Sequence, residues 1–218
     1  MTAMTARPAH LVQHLDSTTR ANAQAAANVW ADAYEHDPLL SWLLPADQTR
    51  RPKLLRWYRL TFLVSPDCVL HMTDDGSAAS RWDWVDDARA YTRTMGALRQ
   101  AQMAIFGSLG VWRRNIMTDL LSDQRPRVPH LYLAGIGVHP SAQRGGRADA
   151  LMAAGLSMVD QQHRVAYLET QNPIAASIYR RWGFYDAGSV RLPQDGPTML
   201  CMIRDPMIGR VRNDARRG

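Results

Sequence analysis

Apolar and polar positions alternate with two different periods along this chain, and the periods divide it into helices and strands. Residues 10–15 read as a short first strand, and 16–19 (Asp-Ser-Thr-Thr) supply helix-start residues. After them Ala23, Ala26, Ala27, Trp30, Ala33 and Tyr34 recur at helical spacing. Pro38 is expected to end that helix, because the residue before a proline is driven out of the α region. A second helix is predicted around Pro52, carrying Leu54, Leu55, Tyr58 and Phe62. Two strands follow, 68–73 and 78–85, with Asp74-Asp75-Gly76 as the turn signal between them. In the second, Trp82 and Trp84 alternate with Arg81 and Asp83, the period of two of a strand. Residues 86–121 read as helical with a break at 107–110, and 125–129 read as a loop.

The second half is patterned more sharply. Residues 131–138 are a strand rich in apolar side chains, expected to be central and closed by Pro140. The helix after it carries Ala148, Leu151, Met152, Gly155 and Val159 on one face. A strand at 165–170, a short helix at 173–182 and strands at 184–190 and 198–203 complete the chain, the last two joined by a turn at 193–197. Strands alternating with helices predict an α/β (α+β) fold with a mixed central sheet.

Composition narrows the function classes. The 218 residues are 46% hydrophobic and 21% charged, enough to bury a sizeable core and too apolar for a disordered chain. No apolar run approaches the roughly 18–20 residues of a membrane helix, and residues 1–10 lack the apolar segment of a signal peptide, so a cytoplasmic protein is expected. Two cysteines, Cys68 and Cys201, make neither a disulfide framework nor a zinc cluster. His10 and His14 share a strand face without a third ligand, so no metal site is predicted. The net charge of +6 sits partly in a basic tail at 206–218, where Arg210, Arg212, Arg216 and Arg217 face only Asp214. Basic residues are not interleaved with aromatics over a folded face, so nucleic acid is not an expected partner.

The segment that carries chemistry runs from Val138 to Ala148: a strand end, a loop bearing Gly145 and Gly146, then a helix start. A helix N-terminus presents unpaired N–H groups at the positive end of its dipole, and glycines let a ligand approach the backbone. Arg144 and Arg147 add positive charge, and together these features suit a pyrophosphate. A second element, Asn172, Ala175, Tyr179, Gly183 and Phe184, sits at a strand-to-helix junction. There Asn172 can cap the helix or bond a ligand, and Tyr179 follows about two turns later.

Gln143, Gly146 and Ala148, spaced Gln-x-x-Gly-x-Ala, resemble motif A of the GNAT superfamily of N-acetyltransferases, and residues 172–184 resemble its motif B. The runs at 37–45, 129–140, 168–171 and 192–197 are similar to bacterial enzymes of the puromycin N-acetyltransferase type, specifically over 129–204, loosely over 10–85 and poorly over 86–128. The resemblance implies one GNAT domain over 1–218 with a helical insertion at about 86–128. Its mixed sheet would be splayed between two parallel strands, with helices on both faces. Acetyl-CoA would enter the splay. Ile136, Gly137 and Val138 would meet the pantetheine arm, the loop of Gln143, Arg144, Gly145, Gly146, Arg147 and Ala148 would hold the pyrophosphate, and Asn172 would bind near the pantetheine. Tyr179 is the implied acid for the departing sulfur and Glu169 the first candidate base, ahead of Asp83 and Glu35; His130 could line the substrate side. The acceptor would be a small-molecule amine and a homodimer is an open expectation. The rival readings are a non-catalytic acyl-CoA-binding or regulatory module, and a chain that binds a protein or nucleic-acid partner through residues 86–121 or the basic tail. Four residues depart from the pattern: Arg147 where the family usually has an aliphatic residue, Asp149 where a small one is usual, and Arg81 and Asp83, which are unusual for the strand they lie in.

Overall fold

The computed structural model describes residues 10–45, 47–65, 68–86 and 99–207. Strand β1 (Val12–Leu15) leads into helices α1 (Arg20–Ala33), α2 (Pro38–Leu43) and α3 (Arg50–Leu63). Strands β2 (Cys68–Thr73) and β3 (Ala78–Val85) form a hairpin, and α4 (Arg99–Ser122) follows. Then come β4 (His130–Val138), a single 3₁₀ turn (Pro140–Ala142), α5 (Arg147–Gln161), β5 (Val165–Thr170), α6 (Pro173–Arg181), β6 (Tyr185–Arg191) and β7 (Thr198–Arg204). The strands form one sheet in the order β1-β2-β3-β4-β5-β7-β6, and every neighbouring pair is antiparallel except β4 with β5.

Two apolar layers cover the sheet. On one face Trp30, Leu54, Phe62 and Ile105 pack over Leu70, Met72, Ala79 and Tyr167; on the other, Met152, Leu156, Val159 and Ala176 pack over Val69, Trp82, Leu131, Leu133 and Leu168. Burial on both faces explains why β3 is covered along its length although its sequence alternates apolar and charged. Arg81 and Asp83 are each only 3% exposed. Their bidentate pair (2.7 and 2.8 Å) is completed by bonds from Arg81 to the Thr61 carbonyl and the Ser65 hydroxyl. Removing one partner of such a buried pair typically costs about 3–5 kcal/mol, because the other charge stays behind in low dielectric.

Two expectations change in detail and a third is narrowed. The first strand begins at Val12 rather than His10. Helix α1 closes at Ala33, ahead of Pro38, and Pro38 instead opens the six-residue helix α2. Proline suits the first helical position, where its missing N–H is an orphan anyway, and Asp37 caps the turn by accepting from the N–H groups of Leu39 and Leu40 (2.9 and 3.1 Å). In α4 the break expected at 107–110 is at Gly107, where φ is 66°. Of the helical stretch expected at 86–121, residues 87–98 lie outside the described residues; so do 1–9 and, of the basic tail, 208–218.

Close approaches at glycine set the depth at which the helices sit. A Cβ on Gly135 or Gly137 of β4 would lie 2.6 or 2.9 Å from the Trp30 ring, so α1 is seated directly on the second half of β4. A Cβ on Gly155 of α5 would lie 2.2 Å from the indole of Trp82, which is fully buried and has nowhere to go. Gly155→Ala is therefore expected to destabilise by about 1–3 kcal/mol or more through overpacking, despite the better helix propensity of alanine. Urea unfolding monitored by tryptophan fluorescence checks this, and a neutral or stabilising outcome would show that α5 can lift off β3 without loss.

Candidate active site

The feature that organises the site is an interrupted strand pair. Parallel β4 and β5 pair only at His130 with Val165, Leu131 with Ala166, and Tyr132 with Tyr167. Beyond Tyr132 they part: β4 runs on to Val138 and β5 to Thr170 with no register between them. The second half of β4 thus carries backbone groups that no strand on that side satisfies, and a buried backbone polar group needs a partner. At Ile136 the partner is a side chain. The Tyr34 hydroxyl accepts from the Ile136 N–H (3.0 Å) and donates to its carbonyl (2.8 Å). Tyr34 is the C-cap residue of α1, aimed there by the seating of that helix on Gly135 and Gly137. Burial first, then coupling to the titration of the Tyr179 phenol and the Asp37 carboxyl, holds its phenol well above the ordinary tyrosine range.

At the mouth of the splay the chain turns into α5. Arg144 and Gly146 both have positive φ (63° and 87°), so successive peptides are turned into a concave loop. Gly146 is the N-cap of α5, and no side chain caps the helix start. A Cβ at Gly146 would meet nothing within 4 Å, so the space before the helix N-terminus is open. Gln143, Arg144 and Asp149 are exposed, while Gly145, Gly146, Arg147 and Ala148 are half-buried. The charge of Arg147 is already spoken for. Its guanidinium pairs with Asp75 in the β2–β3 turn (2.6 Å) and donates to the Ala142 carbonyl (3.0 Å).

On the opposite wall, Asn172 caps α6, its Oδ1 accepting from the N–H groups of Ile174 and Ala175 (2.9 and 3.3 Å); its amide nitrogen takes no part in the cap. Tyr179 lies two turns along α6, packed against Phe184 with ring centroids 5.9 Å apart. Burial pushes its phenol up to about 12, so it keeps its proton across the neutral range, and its hydroxyl takes no hydrogen bond among the described residues. Gln171 reaches across from the end of β5 to bond Asp37, whose carboxyl is raised by burial against the lowering bonds from Leu40, Leu39 and Gln171.

Glu169 faces the α1–α4 side of the sheet in a tight cluster. Its Oε1 accepts from Arg125 (3.3 Å) and from the Tyr167 hydroxyl (3.1 Å), and its Oε2 from the Tyr132 hydroxyl (3.0 Å). Burial and the Glu169 charge hold both phenols above their ordinary range. His130 is buried beside Tyr167, its Nδ1 donating to the Val128 carbonyl (2.8 Å), and its Nε2 has no partner among the described residues. Burial lowers its pKa. Asp83 is taken up by Arg81, and Glu35 lies in the turn after α1 with its carbonyl bonded by Arg50.

Of the residues singled out in the sequence, Ile136 and Val138 line the splay strand, 143–148 form its mouth, and Asn172 and Tyr179 stand on the helix behind β5. The structure adds Tyr34, Asp37 and Gln171. Tyr34 reads in the sequence as the last apolar position of a helix face. Asp37 carries a local signal, an acceptor directly before a proline, which predicts the cap but not the bond to Gln171, 134 residues away. Among the described residues no helix is long and apolar enough to cross a membrane, and no three His, Cys, Asp or Glu side chains gather as a metal cluster.

Residues 53–184 match the model of the Acetyltransferase (GNAT) family. Among solved structures, one from Corynebacterium glutamicum described as a histone acetyltransferase HPA2 and related acetyltransferase is 22% identical, with a TM-score of 0.69 over 93% of this chain and 99% of that one. The ribosomal-protein-S18-alanine N-acetyltransferase of Escherichia coli is 16% identical (TM-score 0.52; 93% and 97% covered). The polyamine N-acetyltransferase of Drosophila melanogaster, which forms N-acetylagmatine, is also 16% identical (0.54; 89% and 99%). At these identities the likeness is one of fold.

Proposed function

Because the chain belongs to the acetyltransferase (GNAT) family, we propose that it moves an acetyl group from acetyl-CoA to a primary amine of a small molecule, by direct attack in a ternary complex. The observation that carries the reading is the parting of β4 and β5 after Tyr132, with an uncapped helix N-terminus at its mouth. An extended arm fits a strand edge of this kind as an added strand, and a pyrophosphate fits the open space at Gly146. Ile136, Gly137 and Val138 would hold the arm, with Tyr34 yielding the Ile136 groups it bonds; residues 143–148 would hold the pyrophosphate and the Asn172 amide nitrogen the pantetheine. Acetyl-CoA supplies a thioester, whose carbonyl carbon the amine attacks and whose thiolate departs.

The chain's own groups then have distinct tasks. An N–H at the β4 edge stabilises the charge developing on the carbonyl oxygen. Tyr179, kept protonated by burial, donates to the departing sulfur. Glu169 is the proposed sink for the amine's proton. With both oxygens already bonded by phenols, it receives that proton through Tyr132 or Tyr167 rather than by direct contact. A small-molecule acceptor is the reading that the sequence runs at 129–140 and 192–197 favour, and the Drosophila neighbour of the same fold acts on polyamines.

The test is thiol release from acetyl-CoA in the presence of a panel of polyamines, arylalkylamines and aminonucleosides. A ternary complex predicts release only with an amine present and intersecting initial-velocity lines. Parallel lines would mean a covalent acyl-enzyme instead. Tight acetyl-CoA binding with no transfer to any amine would favour a binding or regulatory module.

A further inference from the structure

We propose that His10 and Asp75 are positioning residues of the cofactor site, bracing the 142–147 loop from outside and so aiming its N–H groups at the diphosphate. The inference rests on the acetyl-CoA reading above. A peptide unit is planar and trans, so a carbonyl held in one direction points the next residue's N–H the opposite way. Two carbonyls of this loop are held. The Gly145 carbonyl accepts from His10 Nε2 at 3.0 Å, a bond spanning 135 residues of chain. The Ala142 carbonyl accepts from Arg147 Nη1 at 3.0 Å, and Asp75 anchors the same guanidinium at 2.6 and 2.8 Å. These bonds turn the N–H groups of Gly146 and Gln143 away from the brace. Arg144 stands in the left-handed region with φ 63°, a conformation costing about 1 kcal/mol for a non-glycine residue, which outside support helps to hold.

The brace is itself tied together. The Asp74 N–H donates to the Leu11 carbonyl (2.9 Å), and the His139 N–H donates to the Ser77 carbonyl (2.8 Å). The N-terminal arm, the β2–β3 turn and the loop therefore form one bonded unit. Burial opposes the Asp75 charge, but bonds from Arg147, Ser77 and Thr73 outweigh it and keep the carboxyl ionised. Arg147, which departs from the aliphatic residue usual in the family, acts here as the strut between Asp75 and the loop.

Asp75 allows a clean test, because its two oxygens do different work. Oδ1 accepts from Thr73 and from the backbone and hydroxyl of Ser77, which shapes the turn; Oδ2 faces Arg147. Asp75→Asn keeps an acceptor for the turn and places a donor against the guanidinium. We expect it to raise KM for acetyl-CoA by about 5- to 10-fold with kcat unchanged, a moderate effect because the pair is partly exposed. S-acetylpantetheine, a thioester donor without the diphosphate, should be used as well by the variant as by the parent. His10→Ala should raise KM for acetyl-CoA roughly threefold, and His10→Gln, whose amide still donates, should restore most of it. An unchanged KM for acetyl-CoA, or an equal loss with both donors, overturns the proposal. Hydrogen exchange of amides 143–148 in the cofactor-free protein reads the brace independently, and faster exchange in Asp75→Asn is expected. If the parent binds no acetyl-CoA the functional reading falls; unchanged exchange removes the brace itself.

Discussion

Gly146→Asp is expected to weaken acetyl-CoA binding by about 100- to 1,000-fold while leaving the fold intact. Gly146 is the N-cap of α5 at φ 87°, with open space where a Cβ would go. Asp tolerates the left-handed region better than most residues and is a favoured N-cap, so α5 is not undone. The residual strain is worth about 1 kcal/mol, or a few degrees in Tm for a chain of this size. The carboxylate, however, stands where the pyrophosphate would sit and takes the N–H groups for itself. Two charges about 4–5 Å apart at an effective dielectric near 20 repel by roughly 3–4 kcal/mol, which converts to that loss of affinity. Calorimetric titration of acetyl-CoA into both proteins decides the matter. Affinity within tenfold of the parent would move the pyrophosphate away from this loop.

Tyr179→Phe is expected to lower kcat by about 10²–10⁴-fold with the Kd for acetyl-CoA changed no more than about twofold. The hydroxyl takes no hydrogen bond among the described residues, so its removal orphans no buried partner and stability should hardly move. Burial raises its pKa to about 12. A raised acid stays protonated below its ordinary pKa and loses its proton only as pH rises through the shifted one. The rate should therefore show no descending limb from Tyr179 below about pH 11. An unchanged kcat, measured at saturating amine, would take Tyr179 out of the proton path.

How much of this was legible in the sequence follows from how each feature is encoded. The elements from β4 to α6 were readable because the apolar run of β4, the helical face of α5 and the Gly145-Gly146 and Asn172-Pro173 junctions are local signals. The short α2 was missed because six residues carry too little periodicity to compete with the breaking signal of Pro38. The alternation of β3 was read correctly as a strand, but nothing in it told that Arg81 and Asp83 are buried. That depends on α3, whose Thr61 carbonyl takes up one arm of the guanidinium.

The candidate site divides along the same line. Chain pattern by itself determined the class of fold, the loop and helix start at 143–148, and the Asn172–Tyr179 spacing, because each is set by residues within a few turns of one another. Only the tertiary structure decided that Tyr34 bonds Ile136, that Arg147 pairs with Asp75 and that Glu169 is held by Arg125, Tyr132 and Tyr167. Most of these partners lie 37 to 102 residues apart, and Tyr167, two positions from Glu169, shares its face only because β5 is extended. Local periodicity tells which face of an element is buried. It is the register and seating of whole elements, down to a tryptophan resting on two glycines, that choose which polar groups meet there.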